Sequence, residues 1–170
     1  MENTGLHRRF EQDIREHELL IHKICRIYAP AASDGKDLFQ DIVIQLWKAY
    51  PNFSGQSKFS TWLYRVAINT AITGLRKRKD FITTYEPGSL ETNTGDVKYD
   101  EAAEEQLQQL HKAIEQLGQV EKAIVMLYME DKSYNEMEEI LGISTGNLRV
   151  KMNRIKEKLR KLTKTMEYGT

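Results

Sequence analysis

The residues of this chain best suited to chemistry with a partner lie towards its C-terminus. Between Thr145 and Lys164 stand eight basic side chains (Arg149, Lys151, Arg154, Lys156, Lys158, Arg160, Lys161 and Lys164) and one acid, Glu157. Arg149, Asn153, Lys156 and Arg160 recur at helical spacing, so a helix sets them along one side, with Arg154 close by. Arginine presents a planar fork of donors that matches guanine edges or phosphate oxygens, and asparagine can pair with adenine. Elsewhere the notable groupings are a second basic run, Arg76-Lys77-Arg78-Lys79, and two acids one helical turn apart, Asp37 and Asp41. Nothing points to catalysis. His7, His17, His22 and His111 are scattered, and His17 and His22 are five apart, not the four that would align metal ligands. No phosphate-cradling glycine loop and no nucleophile motif is present. The expectation is a non-enzyme, with no catalytic residue, no metal ligand and no cofactor.

The elements that must position these groups are helical. Leu148, Met152, Ile155, Leu159 and Leu162 step by four and three, giving the basic segment an inward face. Before it come Tyr134–Leu141 and Gly142-Ile143-Ser144. Gly142 can supply the left-handed residue that ends one helix, and Ser144 can cap the next by accepting a backbone N–H. Two helices joined by a tight glycine turn, the second basic and running to about Leu162, form a helix-turn-helix pattern. A charge run is more often a solvated face. Here it is one-signed and follows that turn directly, which favours nucleic acid.

Upstream, Glu101–Leu117 and Gln119–Glu130 read as helices separated at Gly118. In the N-terminal part, Phe39, Ile42, Val43, Leu46, Trp47 and Tyr50 form an amphipathic stripe that Pro51 stops. An earlier helix is read from Ile14, Ile21, Ile24 and Tyr28. A later one runs from about Phe59 to Arg78 and buries Phe59, Trp62, Leu63, Val66 and Ala67. No segment alternates as a strand. The fold class is all-α, with two small helical domains, 1–80 and 101–170, joined by a flexible acidic linker, 81–100.

Composition limits the setting. The chain has 170 residues, 29% charged and 40% hydrophobic, as expected of a globular protein. Its longest apolar stretch, Ala123–Met129, is far short of the ~20 residues of a membrane-spanning helix. The first residues lack the apolar core of a secretion signal, and the single cysteine, Cys25, excludes an intramolecular disulfide. The expected location is the cytoplasm, without membrane insertion. The formal net charge of zero is a cancellation: residues 1–80 carry +4, 81–130 carry −7 and 131–170 carry +3.

Asp37-Leu-Phe-Gln-Asp-Ile-Val-Ile-Gln-Leu-Trp-Lys48 and Phe59-Ser-Thr-Trp-Leu-Tyr-Arg-Val-Ala-Ile-Asn69 resemble conserved region two of the extracytoplasmic-function (ECF) sigma factors. Ser133-Tyr-Asn-Glu-Met-Glu-Glu-Ile-Leu-Gly-Ile-Ser144 and Leu148-Arg-Val-Lys-Met-Asn-Arg-Ile-Lys-Glu-Lys-Leu159 resemble their region four. The resemblance spans roughly residues 10–80 and 105–162, in family order. It implies a bacterial alternative sigma factor whose partners are core RNA polymerase (the β′ clamp helices and the β flap), promoter DNA and an anti-sigma factor. By the same resemblance, Asp37, Gln40, Asp41 and Gln45 dock on the β′ clamp helices. The −10 element is read and melted by Ser54, Gln56, Lys58, Arg65, Asn69, Thr73 and Arg76. The −35 element falls to Thr145, Asn147, Arg149, Val150, Lys151, Asn153 and Arg154, while Lys158 and Arg160 face DNA backbone or solvent.

Several residues keep a second reading. Asp37 also suits a helix first turn, where acids offset the macrodipole, and Arg76–Lys79 suit a helix C-terminus. Trp62 can stack on bases, but its place on the apolar stripe favours the core. The acidic linker can thread a basic channel of the polymerase or act as a self-repelling tether. Three positions depart from the family: Glu138 replaces a small residue, Leu117-Gly118 replaces Leu-Pro, and Ser54 and Gln56 replace a charged pair. Two rival functions carry different consequences. A helix-turn-helix regulator that does not replace a sigma factor would bind promoters without polymerase, and a helical protein-binding adaptor would show little salt-sensitive DNA binding.

Overall fold

The computed structural model describes residues 2–81 and 101–168, with side chains described for 4–75 and 101–165. The expected linker, Phe81 aside, lies outside the described residues. Every described element is helical, and the chain divides into two compact units, Met1–Leu90 and Glu91–Thr170.

The first unit contains α1 (Glu2–Tyr28), α2 (Ala32–Ala49) and α3 (Phe59–Phe81), each packed on the other two. A single 3-10 turn, Tyr50–Asn52, follows α2 and contains Pro51, whose ring favours such a turn over further helix. Ile21, Ile24, Ile42, Leu46, Leu63 and Ala67 are sealed from solvent. Each large aliphatic side chain so buried contributes about 1.5–3 kcal/mol. The stripe of α2 is centred one residue earlier than its spacing predicts: Leu38, Ile42 and Leu46 are buried, whereas Phe39, Val43, Trp47 and Tyr50 are half-buried. On α3 the buried set is Thr61, Leu63, Tyr64, Ala67, Ile68 and Ala71. Phe59, Trp62 and Val66 sit at its margin. Both shifts have one cause, because each helix packs on two neighbours and must bury a face wider than one stripe.

The second unit is assembled around its last helix. The helices α4 (Glu101–Glu115), α5 (Gln119–Met129) and α6 (Tyr134–Leu141) all pack on α7 (Thr145–Tyr168). Ala123 to Leu127 of α5 are all buried, which explains the unbroken apolar run in that segment. The inward face of α7 is Leu148, Met152 and Ile155, with Leu159 and Leu162 half-buried. Gly118 precedes α5, and its N–H donates to the carboxylate of Glu121 at 2.8 Å. A proline there, as in the family pattern, would have no N–H to donate.

The turn between α6 and α7 is built as its residues dictate. Ser133 caps α6 reciprocally with Glu136: the Glu136 N–H donates to Ser133 Oγ at 3.2 Å, and the Ser133 N–H to Glu136 Oε2 at 2.8 Å. Gly142 adopts φ 69° and donates its N–H to the Glu138 carbonyl at 2.8 Å, closing the helix with a left-handed residue. Ser144 Oγ accepts the Asn147 N–H at 3.4 Å. Glu138 itself is exposed, and Met137 and Ile140 supply the buried contacts of α6, so its size is accommodated in solvent.

Candidate functional site

Three exposed faces carry the residues singled out from the sequence, two on the first unit and one on the second. On α2, Asp37, Gln40, Asp41 and Gln45 are all exposed, Asp37 and Gln40 on the side away from the buried Leu38, Ile42 and Leu46 and Asp41 and Gln45 along the margin of that row. Because α2 starts at Ala32, the acid in its first turn is Asp34; Asp37 lies beyond that turn. The helix dipole therefore gives little account of Asp37, since its influence fades within one turn. The same face includes Ile44, 49% exposed, which the sequence reading passed over. Its signal was available: an isoleucine off the buried period, one turn from both Gln40 and Asp41. The result is a strip of acceptors around one apolar knob.

On α3, Arg65, Asn69 and Thr73 are exposed at four-residue spacing and so lie on one line along the helix. Arg76 continues the helix backbone, but its side chain, like those of Lys77 to Lys79, lies outside the described residues. The preceding loop exposes Ser54, Gln56 and Lys58 around Gly55, whose φ of 72° makes the bend. Phe53 and Phe59 bracket this loop and anchor it to Trp62, with ring centroids 5.0 and 5.4 Å from the indole. Tyr50 approaches the same indole at 6.2 Å. Trp62 is thus a half-buried member of an aromatic cluster that holds the loop against α3. Beneath it, the Tyr50 hydroxyl donates to Asp13 of α1 at 2.6 Å. Burial and this carboxylate together push the Tyr50 phenol up to about 12.

On α7, Asn147, Arg149, Val150, Lys151, Asn153 and Arg154 are exposed and Thr145 is half-buried. Val150, Asn153 and Arg154 point directly away from the buried row Leu148, Met152, Ile155, so they lead the helix outward. The flanking basic residues are held by the other helices. The Arg149 guanidinium lies over the Tyr134 ring, 5.3 Å from its centroid. The Lys156 ammonium lies 4.9 Å above the Tyr128 ring and 3.5 Å from its hydroxyl. Lys158 pairs with Glu121 of α5 at 3.1 Å. Lys158 is exposed to solvent, as expected, and α5 adds a carboxylate partner that its spacing on α7 did not announce. Partial burial of Glu121 opposes its charge. The Gly118 N–H and the ammoniums of Lys158 and Lys151 outweigh it and hold the carboxyl below the usual carboxylate range.

Among the described residues no group of three His, Cys, Asp or Glu side chains could hold a metal ion. Burial pushes the Cys25 thiol up to about 11, which leaves it a poor nucleophile. Among the described residues no helix is long and apolar enough to cross a membrane.

Comparison with known proteins gives a consistent result. The sigma-70 region 2 family model matches residues 14–81, and the sigma-70 region 4 model matches residues 107–159. The ECF RNA polymerase sigma factor SigG of Mycobacterium tuberculosis is 42% identical over 62 residues, which are 36% of this chain and 16% of that protein. The chain therefore aligns with only a small part of SigG. The ECF RNA polymerase sigma factor SigW of Bacillus subtilis is 28% identical over 152 residues, covering 83% of this chain and 81% of SigW. Among solved structures, the sigma factor RpoE in complex with the anti-sigma factor NepR, from Bartonella quintana, shares the fold. Its TM-score is 0.70 at 20% identity, over 92% of this chain and 98% of that one.

Proposed function

Because this chain belongs to the ECF RNA polymerase sigma factors, we propose that it binds core RNA polymerase, directs it to selected promoters and opens them for initiation. The observation that carries this is the pairing of region two and region four in one chain, each with its motif residues on an exposed face. In this reading the α2 strip of Asp37, Gln40, Asp41 and Gln45 docks on the β′ clamp helices, where the acids meet basic partners and Ile44 supplies a desolvated centre. Interfaces of this kind draw most of their energy from a few central groups. The second unit, by the same resemblance, engages the β flap.

Promoter opening falls to α3 and its loop. A base leaving the duplex loses a few kcal/mol of stacking, which hydrogen bonding in a protein pocket offsets. Ser54, Gln56 and Lys58 form the rim of such a pocket, and Arg65, Asn69, Thr73 and Arg76 give a track for the released strand. The −35 element is read by α7 entering the major groove with Val150, Asn153 and Arg154 leading, while Thr145, Asn147 and Lys151 reach backbone. A relative of the same fold is held by an anti-sigma factor. For this chain too, an anti-sigma partner is proposed. The boundaries 1–80, 81–100 and 101–170 are proposed for the −10 and core-binding domain, the connector and the −35 domain.

The test is run-off transcription across a genomic library with purified core polymerase. Added chain starts transcription at a defined set of promoters where core alone does not. Silence at every promoter, with DNA binding that needs no polymerase, favours the helix-turn-helix regulator instead.

A further inference from the structure

Arg149 is a long side chain on an exposed face, and a guanidinium free to rotate through its torsions would lose entropy on meeting a base. Immobilising such a side chain at an interface weakens binding severalfold. In this fold it is not free to sweep. Tyr134, the first residue of α6, places its ring under the guanidinium at 5.3 Å, within the range of a cation–π contact. The ring is itself held, being half-buried and lying between Ser133 and Glu136, the capping pair that anchors the start of α6. The motif recurs two turns along α7, where Tyr128 of α5 takes Lys156 in the same way. The consequences differ. Lys156 is half-buried and is drawn back against α5, whereas Arg149 is exposed and keeps its donor edges available.

We propose that Tyr134 is a positioning residue for promoter specificity: through its cation–π contact with Arg149 it presets the guanidinium for bidentate contact with one base pair of the −35 element. A planar guanidinium held over a ring has fewer orientations open to its donor fork, so the contact biases the direction of reading as well as its strength. Lysine has no such plane, which is why the Tyr128–Lys156 pair carries no comparable information. The inference rests on the assignment of α7 to the −35 element and deepens it.

The experiment uses full-length chain with core polymerase, on promoters substituted one base pair at a time through the −35 element. The variants are Arg149→Ala, Tyr134→Ala, Tyr134→Leu and Tyr134→Phe. Arg149→Ala lowers discrimination at one base pair by roughly fivefold or more. Tyr134→Ala and Tyr134→Leu lower discrimination at that same base pair by about three- to tenfold, and Tyr134→Phe, which keeps the ring, restores it. The salt dependence of binding stays as in the wild type, because no phosphate contact is removed. Thermal unfolding identifies any variant that is misfolded, and the leucine variant preserves bulk where alanine does not. If Arg149→Ala changes no base preference, the DNA assignment of α7 fails. If Arg149→Ala relaxes one base pair while a folded Tyr134→Leu discriminates like the wild type, the positioning role is overturned. A uniform loss across all base pairs with a shallower salt slope also overturns it, since Arg149 would then serve phosphate.

Discussion

Two glycines of the helix-turn-helix, four residues apart, should respond to the same substitution with opposite sign. At both Gly142 and Gly146 an added Cβ would meet no atom within 4 Å, so steric crowding plays no part. What differs is the backbone. Gly142 holds φ 69°, where an L-residue is disfavoured by roughly 1–2 kcal/mol. Gly146 lies in the first turn of α7, where alanine fits the helical backbone without strain and gains about 0.4–1 kcal/mol, mostly by restricting the unfolded chain. Gly142→Ala therefore destabilises the turn and Gly146→Ala stabilises the helix. Asparagine at 142 falls between, because it tolerates the left-handed region better. The assay is amide hydrogen exchange at Met152 and Ile155, buried on α7. A loss of 1–2 kcal/mol speeds exchange about five- to thirtyfold, and the gain at 146 slows it severalfold. Equal rates in Gly142→Ala and wild type, or shifts of the same sign in both variants, would refute the argument that backbone conformation at each glycine decides the sign.

Other consequences follow from the same contacts. Tyr50→Phe removes the hydroxyl that donates to Asp13 and should lower stability by about 1 kcal/mol in urea unfolding monitored by tryptophan fluorescence. Because the Tyr50 pKa is raised, from 10.0 to about 12, its contribution is full below pH 10 and is lost as pH rises towards 12, and Tyr50→Phe lacks that alkaline decline. Glu121 has the opposite sign: its folded pKa is depressed, so its contribution is present above its ordinary value of 4.5 and is lost as pH falls. With side-chain exposures of 46% and 34%, the Lys158–Glu121 pair is worth less than about 1 kcal/mol, and Glu121→Gln flattens the acid limb by no more than that. Asp41→Lys, at an exposed position of α2, should leave the unfolding midpoint within about 0.5 kcal/mol of wild type while weakening capture of core polymerase in a pull-down.

How far the sequence carried differs by element. The inward row of α7 and the Gly142–Ser144 turn were legible because both depend on local rules, a helical period and a left-handed cap. Leu38, Tyr64 and Ile68 were missed because a helix wedged between two others buries more than its best stripe, and only the partners decide which residues join. The candidate faces on α2 and α3 were legible as spacing, since exposed positions four apart must align. Ile44 was visible in principle as an apolar residue out of register. The pairs that tie α7 to its neighbours were not visible. Tyr134 with Arg149 and Glu121 with Lys158 meet only once the helix crossings are set, and nothing local links residues 15 or 37 positions apart.

The central claim is that two exposed helix faces of one chain read two separate promoter elements on polymerase. The measurement that tests it most directly is site-specific photo-cross-linking in an open complex, with the reactive group at position 69 on α3 or at position 153 on α7. Position 69 is expected to label the −10 element, on the released strand, and position 153 the −35 duplex, both only when core polymerase is present. Labelling of one element by both positions, or labelling by either that is independent of polymerase, would contradict it.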